Sequence, residues 1–147
     1  MPSTSQQITA YDSKLKYARI GKWNILERLG VGATAKVYLA YDPTSNKYSA
    51  VKIMKRADYM SLEIAKEEAK FQTSLRHPHL LSLKEFHQSA TLTELTDFSR
   101  PVTAFVLEYA PCSDLLTLIQ TVGAFSDCLA RTYFHQLIDA IEYLHKN

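Results

Sequence analysis

The sequence has little cysteine, no long apolar run and little excess charge, and each shortage excludes a class of protein. Cys112 and Cys128 are too few for a disulfide framework, and their spacing fits no zinc or redox motif. The longest uncharged run in the body of the chain, residues 115–126, is too short and too polar to cross a bilayer. A net charge of +2 is too small to indicate nucleic acid or an acidic membrane as a partner.

The residues that are present are typical of one globular domain. The chain has 147 residues, of which 46% are hydrophobic and 22% charged. No apolar segment follows Met1, so we expect no secretory signal and predict an intracellular, cytoplasmic protein. Residues 1–18 begin with a polar stretch rich in Ser, Thr and Gln, and we predict that they form a flexible leader.

The order of the periodic segments predicts an α+β fold. Strands are predicted at residues 24–29, 37–41, 48–54, 80–86 and 102–109. A helix is predicted at residues 61–75, between the third and fourth strands, and two more follow at 114–120 and 127–145, capped by Ser113 and Ser126. Short connections between the first three strands favour antiparallel pairing. The polar residues 88–100 are either a loop or a partly ordered hairpin.

A turn that contains two glycines joins the first two predicted strands. Gly30 and Gly32 can adopt positive φ, and their lack of a Cβ lets a ligand approach the backbone closely. The turn is therefore either an ordinary tight hairpin or a loop that covers phosphates. A dinucleotide-binding turn is disfavoured because a strand follows instead of a helix, and no Gly-Lys-Ser/Thr ends the stretch as in a P-loop.

Two charged residues lie where apolar neighbours predict contact with the rest of the protein. Strand alternation places Lys52 on one face with Ala50 and Met54, so it either extends to solvent at a sheet edge or meets an anion. Glu68 lies within an apolar helical stripe, residues 64, 71 and 75. A buried carboxylate needs a cation, and Lys52 is the obvious partner. Alternatively the stripe is half-buried there and Glu68 reaches solvent.

Together these residues resemble the N-terminal lobe of a protein kinase. The resemblance rests on Gly30-x-Gly32-x-x-Ala35-x-Val37, Ala50-Val51-Lys52, a helical glutamate and His77-Pro78, in that order. It continues through residues 105–110, similar to the strand that leads into the kinase hinge, and residues 124–145, similar to the first long helix of the C-lobe. The sequences of residues 32–37 and of the last predicted helix are most similar to those of the calmodulin-dependent and AMP-activated groups of serine/threonine kinases.

The resemblance implies a fold and a division of the chain. We expect a kinase N-lobe and hinge at residues 19–110, with a five-stranded antiparallel sheet and one helix. Residues 111–147 are then the first helices of a truncated, helical C-lobe. The third glycine of the family's loop is replaced by Ala35, a position that varies among kinase groups.

The resemblance also implies ATP as the cofactor and assigns a role to each matching residue. Lys52 and Glu68 form the ion pair of active kinases, and Lys52 contacts the α- and β-phosphates. Val37 and Ala50 enclose adenine, Leu107 occupies the gatekeeper position, and Asp114 contacts the ribose. The implied ATP site comprises Leu29, Gly30, Val31, Gly32, Val37, Ala50, Lys52, Leu107, Glu108, Ala110 and Asp114.

One departure from the family concerns catalysis. The 147 residues contain neither the His-Arg-Asp catalytic loop nor the Asp-Phe-Gly motif that binds Mg²⁺. We therefore expect an ATP-binding portion of a serine/threonine kinase that is inactive by itself. The alternative is a stand-alone, non-catalytic kinase-like binding module. The expected partners are ATP and an unidentified protein substrate, with no nucleic acid and no membrane, and with association possible through the exposed C-terminal helix.

Other possible ligand sites have weaker support. His77 and His79 flank Pro78, but no further paired ligands lie nearby, so we predict a helix-to-strand connection and no metal site. Cys112 and Cys128 are expected to be ordinary thiols.

Overall fold

The computed structural model describes residues 18–55 and 59–147. Its elements are β1 (Arg19–Ile20), β2 (Trp23–Val31), β3 (Ala35–Asp42), β4 (Lys47–Met54), α1 (Tyr59–Ser74), β5 (Leu83–Thr93), β6 (Ser99–Leu107), α2 (Leu115–Val122) and α3 (Asp127–Lys146). The predicted leader lies outside the described residues except for Ala18, which is buried.

The strands form a closed barrel with neighbours in the order β1-β2-β3-β4-β6-β5. All described pairings are antiparallel, as predicted, but the predicted count of five strands is wrong. The additional strand is β1, whose two residues are too few to produce an alternating pattern in the sequence. Arg19 pairs with Asn24 of β2 and with Thr93 of β5, and this double pairing closes the barrel.

The barrel encloses the main hydrophobic core. In β4, Val51 and Ile53 point into this core, while Met54 packs on the other face of the strand against a second cluster. This alternation is the one that the sequence predicted for residues 48–54. Because β4 pairs with both β3 and β6, Lys52 does not lie at a sheet edge, and the edge explanation for this lysine is wrong.

Helix α1 packs against the barrel through small residues. Ala65 and Ala69, one turn apart, are buried beside Phe105 of β6. The predicted apolar stripe is largely exposed: the side chains of Ile64 and Phe71 are 60% and 52% accessible. The prediction failed because it ranked residues by hydrophobicity, whereas the close approach of the helix to the sheet selects residues with small side chains.

Three predictions about segment ends can be compared with the structure. Residues 88–100 form the turn end of the β5–β6 hairpin, because β5 continues to Thr93 and β6 begins at Ser99. Ser126 caps α3 as predicted, and its Oγ accepts a hydrogen bond from the Leu129 N–H at 3.4 Å. The predicted Ser113 cap of α2 is wrong: Asp114 caps this helix, and Ser113 has a φ of 63° instead of the extended backbone of a cap.

A buried carboxylate ends β3 and organises the following turn. Asp42 Oδ1 accepts hydrogen bonds from the Thr44 hydroxyl at 2.6 Å and the Thr44 N–H at 2.9 Å, and Oδ2 accepts one from the Ser45 hydroxyl at 2.9 Å. Lys22 Nζ lies 3.4 Å from Oδ2. The Thr44 hydroxyl, followed by these other donors, holds the pKa of Asp42 far below its usual range.

The two C-terminal helices bury little. None of the residues of α2 is buried, and Ala140 is the one buried residue of α3. Several large apolar residues of α3 are exposed, among them Phe134, Leu137 and Ile141. None of the described helices has the length and apolar character needed to cross a membrane.

Helix α3 contacts the connection between α1 and β5 mainly through polar groups. The Tyr143 hydroxyl accepts a hydrogen bond from the Arg76 N–H at 3.0 Å, and Asp139 Oδ2 lies 3.3 Å from His77 Nε2 and 3.9 Å from His79 Nε2. The His77 and Tyr143 rings are 5.0 Å apart. The two histidines thus belong to a helix-to-strand connection, as predicted, and connect it to α3.

Candidate nucleotide-binding site

An ion pair joins the barrel to α1. Lys52 Nζ of β4 lies 2.5 Å from Glu68 Oε1 of α1, and the two side chains are 22% and 40% exposed. Both alternatives for Glu68 therefore hold in part, because the carboxylate meets the lysine and also reaches solvent. Lys52 Nζ also lies 4.9 Å from the centre of the Phe105 ring, a cation–π distance. Two separate groups therefore hold the ammonium in place.

Strand register brings several predicted site residues together. Gly30 of β2 is opposite Val37 of β3, Val37 is opposite Lys52 of β4, and Lys52 is opposite Phe105 of β6. Adjacent strands lie about 4.8 Å apart, so these residues form one row across the sheet. The row places the end of the glycine turn, an apolar side chain and the lysine side by side.

The glycine turn does not use the backbone freedom that glycine offers. Among the described glycines, positive φ occurs at Gly21 and Gly123 and not at Gly30 or Gly32. A Cβ on Gly30 would meet no atom within 4 Å, and one on Gly32 would lie at an ordinary 3.6 Å from the Ala35 carbonyl oxygen. The packing of the protein itself therefore does not require glycine at either position, and close approach by a ligand remains as a reason.

A lysine just after β4, Lys55, contacts the glycine turn and was not among the predicted site residues. Lys55 Nζ lies 2.5 Å from the Gly32 carbonyl oxygen and 3.3 Å from that of Ala33. The Lys55 N–H also donates to the Thr34 carbonyl oxygen at 2.9 Å. No sequence signal indicated these contacts, since 21 to 23 residues separate the partners and a single exposed lysine after a strand is common.

The end of β6 and the segment that follows it contain the predicted gatekeeper and hinge residues. Leu107 is opposite Ala50 of β4, so the predicted gatekeeper and one predicted adenine contact are neighbours. The Glu108 N–H donates to the Ser82 carbonyl oxygen at 2.9 Å, and Glu108 Oε2 accepts from the Ser82 N–H and hydroxyl at 3.3 and 3.2 Å. The Glu108 N–H is thus already engaged, which leaves the carbonyl as its hinge group. Ala110 is exposed.

The remaining predicted residues lie at the periphery. Leu29 and Val31 of β2 are exposed. The Asp114 carboxylate caps α2 and accepts a hydrogen bond from the Thr117 N–H at 2.7 Å, and this bond lowers the pKa of Asp114. The strand register thus brings Gly30, Val37 and Lys52 together, whereas Ala110 and Asp114 lie on the exposed segment that follows β6.

The described residues offer no set of metal ligands. Across residues 18–55 and 59–147, no group of three or more His, Cys, Asp or Glu side chains is placed to hold a metal ion. The kinase resemblance implies Mg²⁺ only for a protein that carries the Asp-Phe-Gly motif, which the 147 residues do not contain, so no step through a metal is assigned to these residues. Cys112 and Cys128 are free and exposed.

Comparison with known families agrees with this geometry. The family described as "Protein kinase domain" matches residues 23–147, which include the glycine turn, the Lys52–Glu68 pair and α3. The match begins at the start of β2 and covers more than half of the chain.

The individual relatives are named as kinases. The chain is 33% identical to CBL-interacting protein kinase 11 of Oryza sativa over 129 residues, which are 86% of the chain and 24% of the relative. It is 31% identical to a probable serine/threonine-protein kinase, the KIN1 homolog of Enterocytozoon bieneusi, over 90% of the chain and 21% of the relative. It is 28% identical to the Aurora kinase of Saccharomyces cerevisiae over 90% of the chain and 34% of that protein. The chain thus spans about a quarter of the length of the first two.

Proposed function

The chain belongs to the protein kinase domain family, as the sequence resemblance predicted, and we propose that it is the ATP-binding portion of a serine/threonine protein kinase. The observation that supports this most is the 2.5 Å contact between Lys52 and Glu68 beside a glycine turn. The lysine–glutamate pair is a requirement for phosphoryl transfer in protein kinases. Its presence means that the positive charge is already held next to the turn before any nucleotide binds.

The phosphate end of the proposed site consists of the turn and the lysine. Gly30 and Gly32 let the backbone approach the phosphates, which agrees with the absence of any packing reason for glycine there. Lys52 binds the α- and β-phosphate oxygens as a point charge, and Glu68 keeps it from turning away. Leu29 precedes the two glycines on β2, and Val31 lies between them.

The adenosine end consists of apolar strand residues and the hinge. Val37 and Ala50 enclose the ring, next to Leu107. The Glu108 carbonyl and the Ala110 backbone bond the edge of adenine. Asp114 contacts the ribose with a carboxylate oxygen that its capping bond leaves available, and the lowered pKa keeps this carboxylate ionised.

Phosphoryl transfer to a protein hydroxyl needs groups that the 147 residues do not contain. Among these groups are the Asp of a catalytic loop and the ligands of Mg²⁺. ATP binding is therefore the role proposed for this chain, and transfer to a protein substrate is proposed for a protein that also carries those motifs.

A charge-removing substitution tests the site. We expect Lys52→Met to abolish ATP binding, because the main cation of the phosphate end is lost. The smallest loss of affinity consistent with this role is about tenfold. The measurement is titration calorimetry with ATP on the full chain. Lys47→Met, the same change at the far end of the same strand, is the matched control and should bind like the unmodified chain. Unchanged binding by Lys52→Met would rule out the site.

One observation favours the second candidate, a stand-alone, non-catalytic kinase-like module that binds nucleotide weakly or not at all. Two residues of the predicted site already use part of their hydrogen-bonding capacity within the protein: the Glu108 N–H bonds the Ser82 carbonyl oxygen, and Asp114 Oδ1 accepts the Thr117 N–H. The same titration separates the two functions. If the unmodified chain is folded by circular dichroism and gives no heat with ATP, the binding-module function replaces the first.

A further inference from the structure

The tip of the glycine turn is attached to the end of β4 by a lysine. Lys55 Nζ lies within hydrogen-bond distance of two successive backbone carbonyl oxygens, those of Gly32 at 2.5 Å and Ala33 at 3.3 Å. A third bond, from the Lys55 N–H to the Thr34 carbonyl oxygen at 2.9 Å, holds the backbone of the same turn. One residue thus contacts three consecutive carbonyl groups of the turn.

These contacts determine which way the peptide groups of the turn face. A trans peptide is planar, and its C=O and N–H point in opposite directions. Since the Gly32 and Ala33 carbonyls face the Lys55 ammonium, the N–H groups of Ala33 and Thr34 face away from it. Across residues 18–55 and 59–147, no recorded hydrogen bond uses either of these N–H groups. Backbone N–H groups that point the same way in a turn form a concave site for anions.

We propose that Lys55 is a positioning residue for nucleotide binding, which orients the peptide groups at the tip of the glycine turn so that their N–H groups face phosphate oxygens. The inference rests on the proposed function for the identity of the anion. The role differs from that of Lys52, whose ammonium meets Glu68 and the Phe105 ring. Lys55 acts through the backbone of the turn and is exposed at the end of its strand.

The geometry also predicts which substitutions are tolerated. A cavity of about 350 Å³, lined by Ala33, Thr34, Met54, Lys55 and Ser61, adjoins the lysine. It offers room for the larger guanidinium of arginine, which has several N–H donors for the same carbonyl oxygens. Methionine has a similar length and no donor. Lys55→Met therefore removes the contact, and Lys55→Arg keeps it.

Amide hydrogen exchange without nucleotide tests the contact itself. We expect the segment at residues 29–37 to exchange faster in Lys55→Met, by roughly threefold or more, because the turn opens more often. Lys55→Arg and the strand control Lys47→Met should exchange like the unmodified chain. Equal exchange in Lys55→Met and the unmodified chain would overturn the inference, whether or not the chain binds ATP.

Titration with ATP and with adenosine tests the connection to phosphate. We expect Lys55→Met to weaken ATP binding roughly threefold to tenfold and to leave adenosine binding unchanged, because adenosine has no phosphate for the turn to bind. Lys55→Arg should restore the affinity for ATP. Equal losses for both ligands would overturn the phosphate-positioning role. If the unmodified chain binds neither ligand, the proposed function and the phosphate role fail together, whereas the contact still stands or falls by the exchange result.

Discussion

Both the barrel and the C-terminal helices carry large apolar side chains, but only the barrel buries them. Tyr38, Val51 and Phe105 of the barrel are at most 2% exposed, whereas Phe134 and Leu137 of α3 are 61% and 55% exposed. Burial of apolar area is the main favourable term in folding. The described part of the chain therefore derives most of its stability from the barrel, and α2 and α3 contribute little to it.

The helices are defined by their ends and by polar contacts. Asp114 and Ser126 satisfy N–H groups at the starts of α2 and α3, and such caps contribute about 1 kcal/mol each. Tyr143 and Asp139 then connect α3 to the segment after α1. A helix held in this way keeps its secondary structure without contributing much to the core.

The largest change in stability is expected when the same substitution, Phe→Ala, is compared in the barrel and in α3. Phe105→Ala should lower the free energy of unfolding by about 3–5 kcal/mol, because it empties a buried site between the sheet and α1. Phe134→Ala removes the same atoms from an exposed position and should change this free energy by less than about 0.5 kcal/mol. Urea unfolding followed by circular dichroism measures both. Similar losses in the two variants would show that α3 is packed in solution.

A smaller effect is expected from the carboxylate at the end of β3, and it depends on pH. The pKa of Asp42 is lowered by folding, so its contribution is full above the unfolded value of about 4 and is lost as the pH falls below it. Asp42→Asn should therefore be less stable than the unmodified chain at pH 7, with a smaller loss than Phe105→Ala shows. The difference in stability between Asp42→Asn and the unmodified chain should become smaller at acidic pH.

The control for Asp42 lies in the other region. Asp127 begins α3 and its side chain is 96% exposed, so Asp127→Asn should leave the unfolding midpoint nearly unchanged at pH 7 and in acid. Thermal unfolding at pH 7 and pH 3 compares the variants. An Asp42→Asn variant with an unchanged midpoint at pH 7 would contradict the role of the Thr44 and Ser45 bonds.

The smallest expected effect concerns the junction between the regions. Tyr143→Phe removes the hydroxyl that accepts the Arg76 N–H, and should cost about 0.5–1 kcal/mol, since this hydrogen bond is exposed to solvent. Tyr133→Phe is the matched change on the same helix, where the ring meets Phe125. Amide exchange of residues 75–80 should rise in the first variant and remain unchanged in the second. A rise in both, or in neither, would show that the hydroxyl does not hold the junction.

The orientation of Lys52 in the candidate site could be predicted, because strand alternation depends only on neighbouring residues. Strand alternation predicted that Lys52 points to the other face of β4 from its neighbours Val51 and Ile53. The structure confirms this orientation, because Val51 and Ile53 face the core. The pairing with Glu68 was one of two open alternatives, because a helical pattern does not show how far a side chain extends into solvent. The contact of Lys55 with the turn had no local signal at all, since it joins residues 22 and 23 positions apart.

The family, the antiparallel strands, the main helix and the cap at Ser126 could be predicted from the sequence, because periodicity, capping and motif order involve near neighbours in the chain. How β1 closes the barrel, which face of α1 is buried and which groups meet the two lysines became apparent in the folded structure. Those outcomes depend on strands and side chains that are distant in sequence, and on how closely α1 approaches the sheet. Small alanines permit that approach, so Ala65 and Ala69 are buried while Ile64 and Phe71 are exposed.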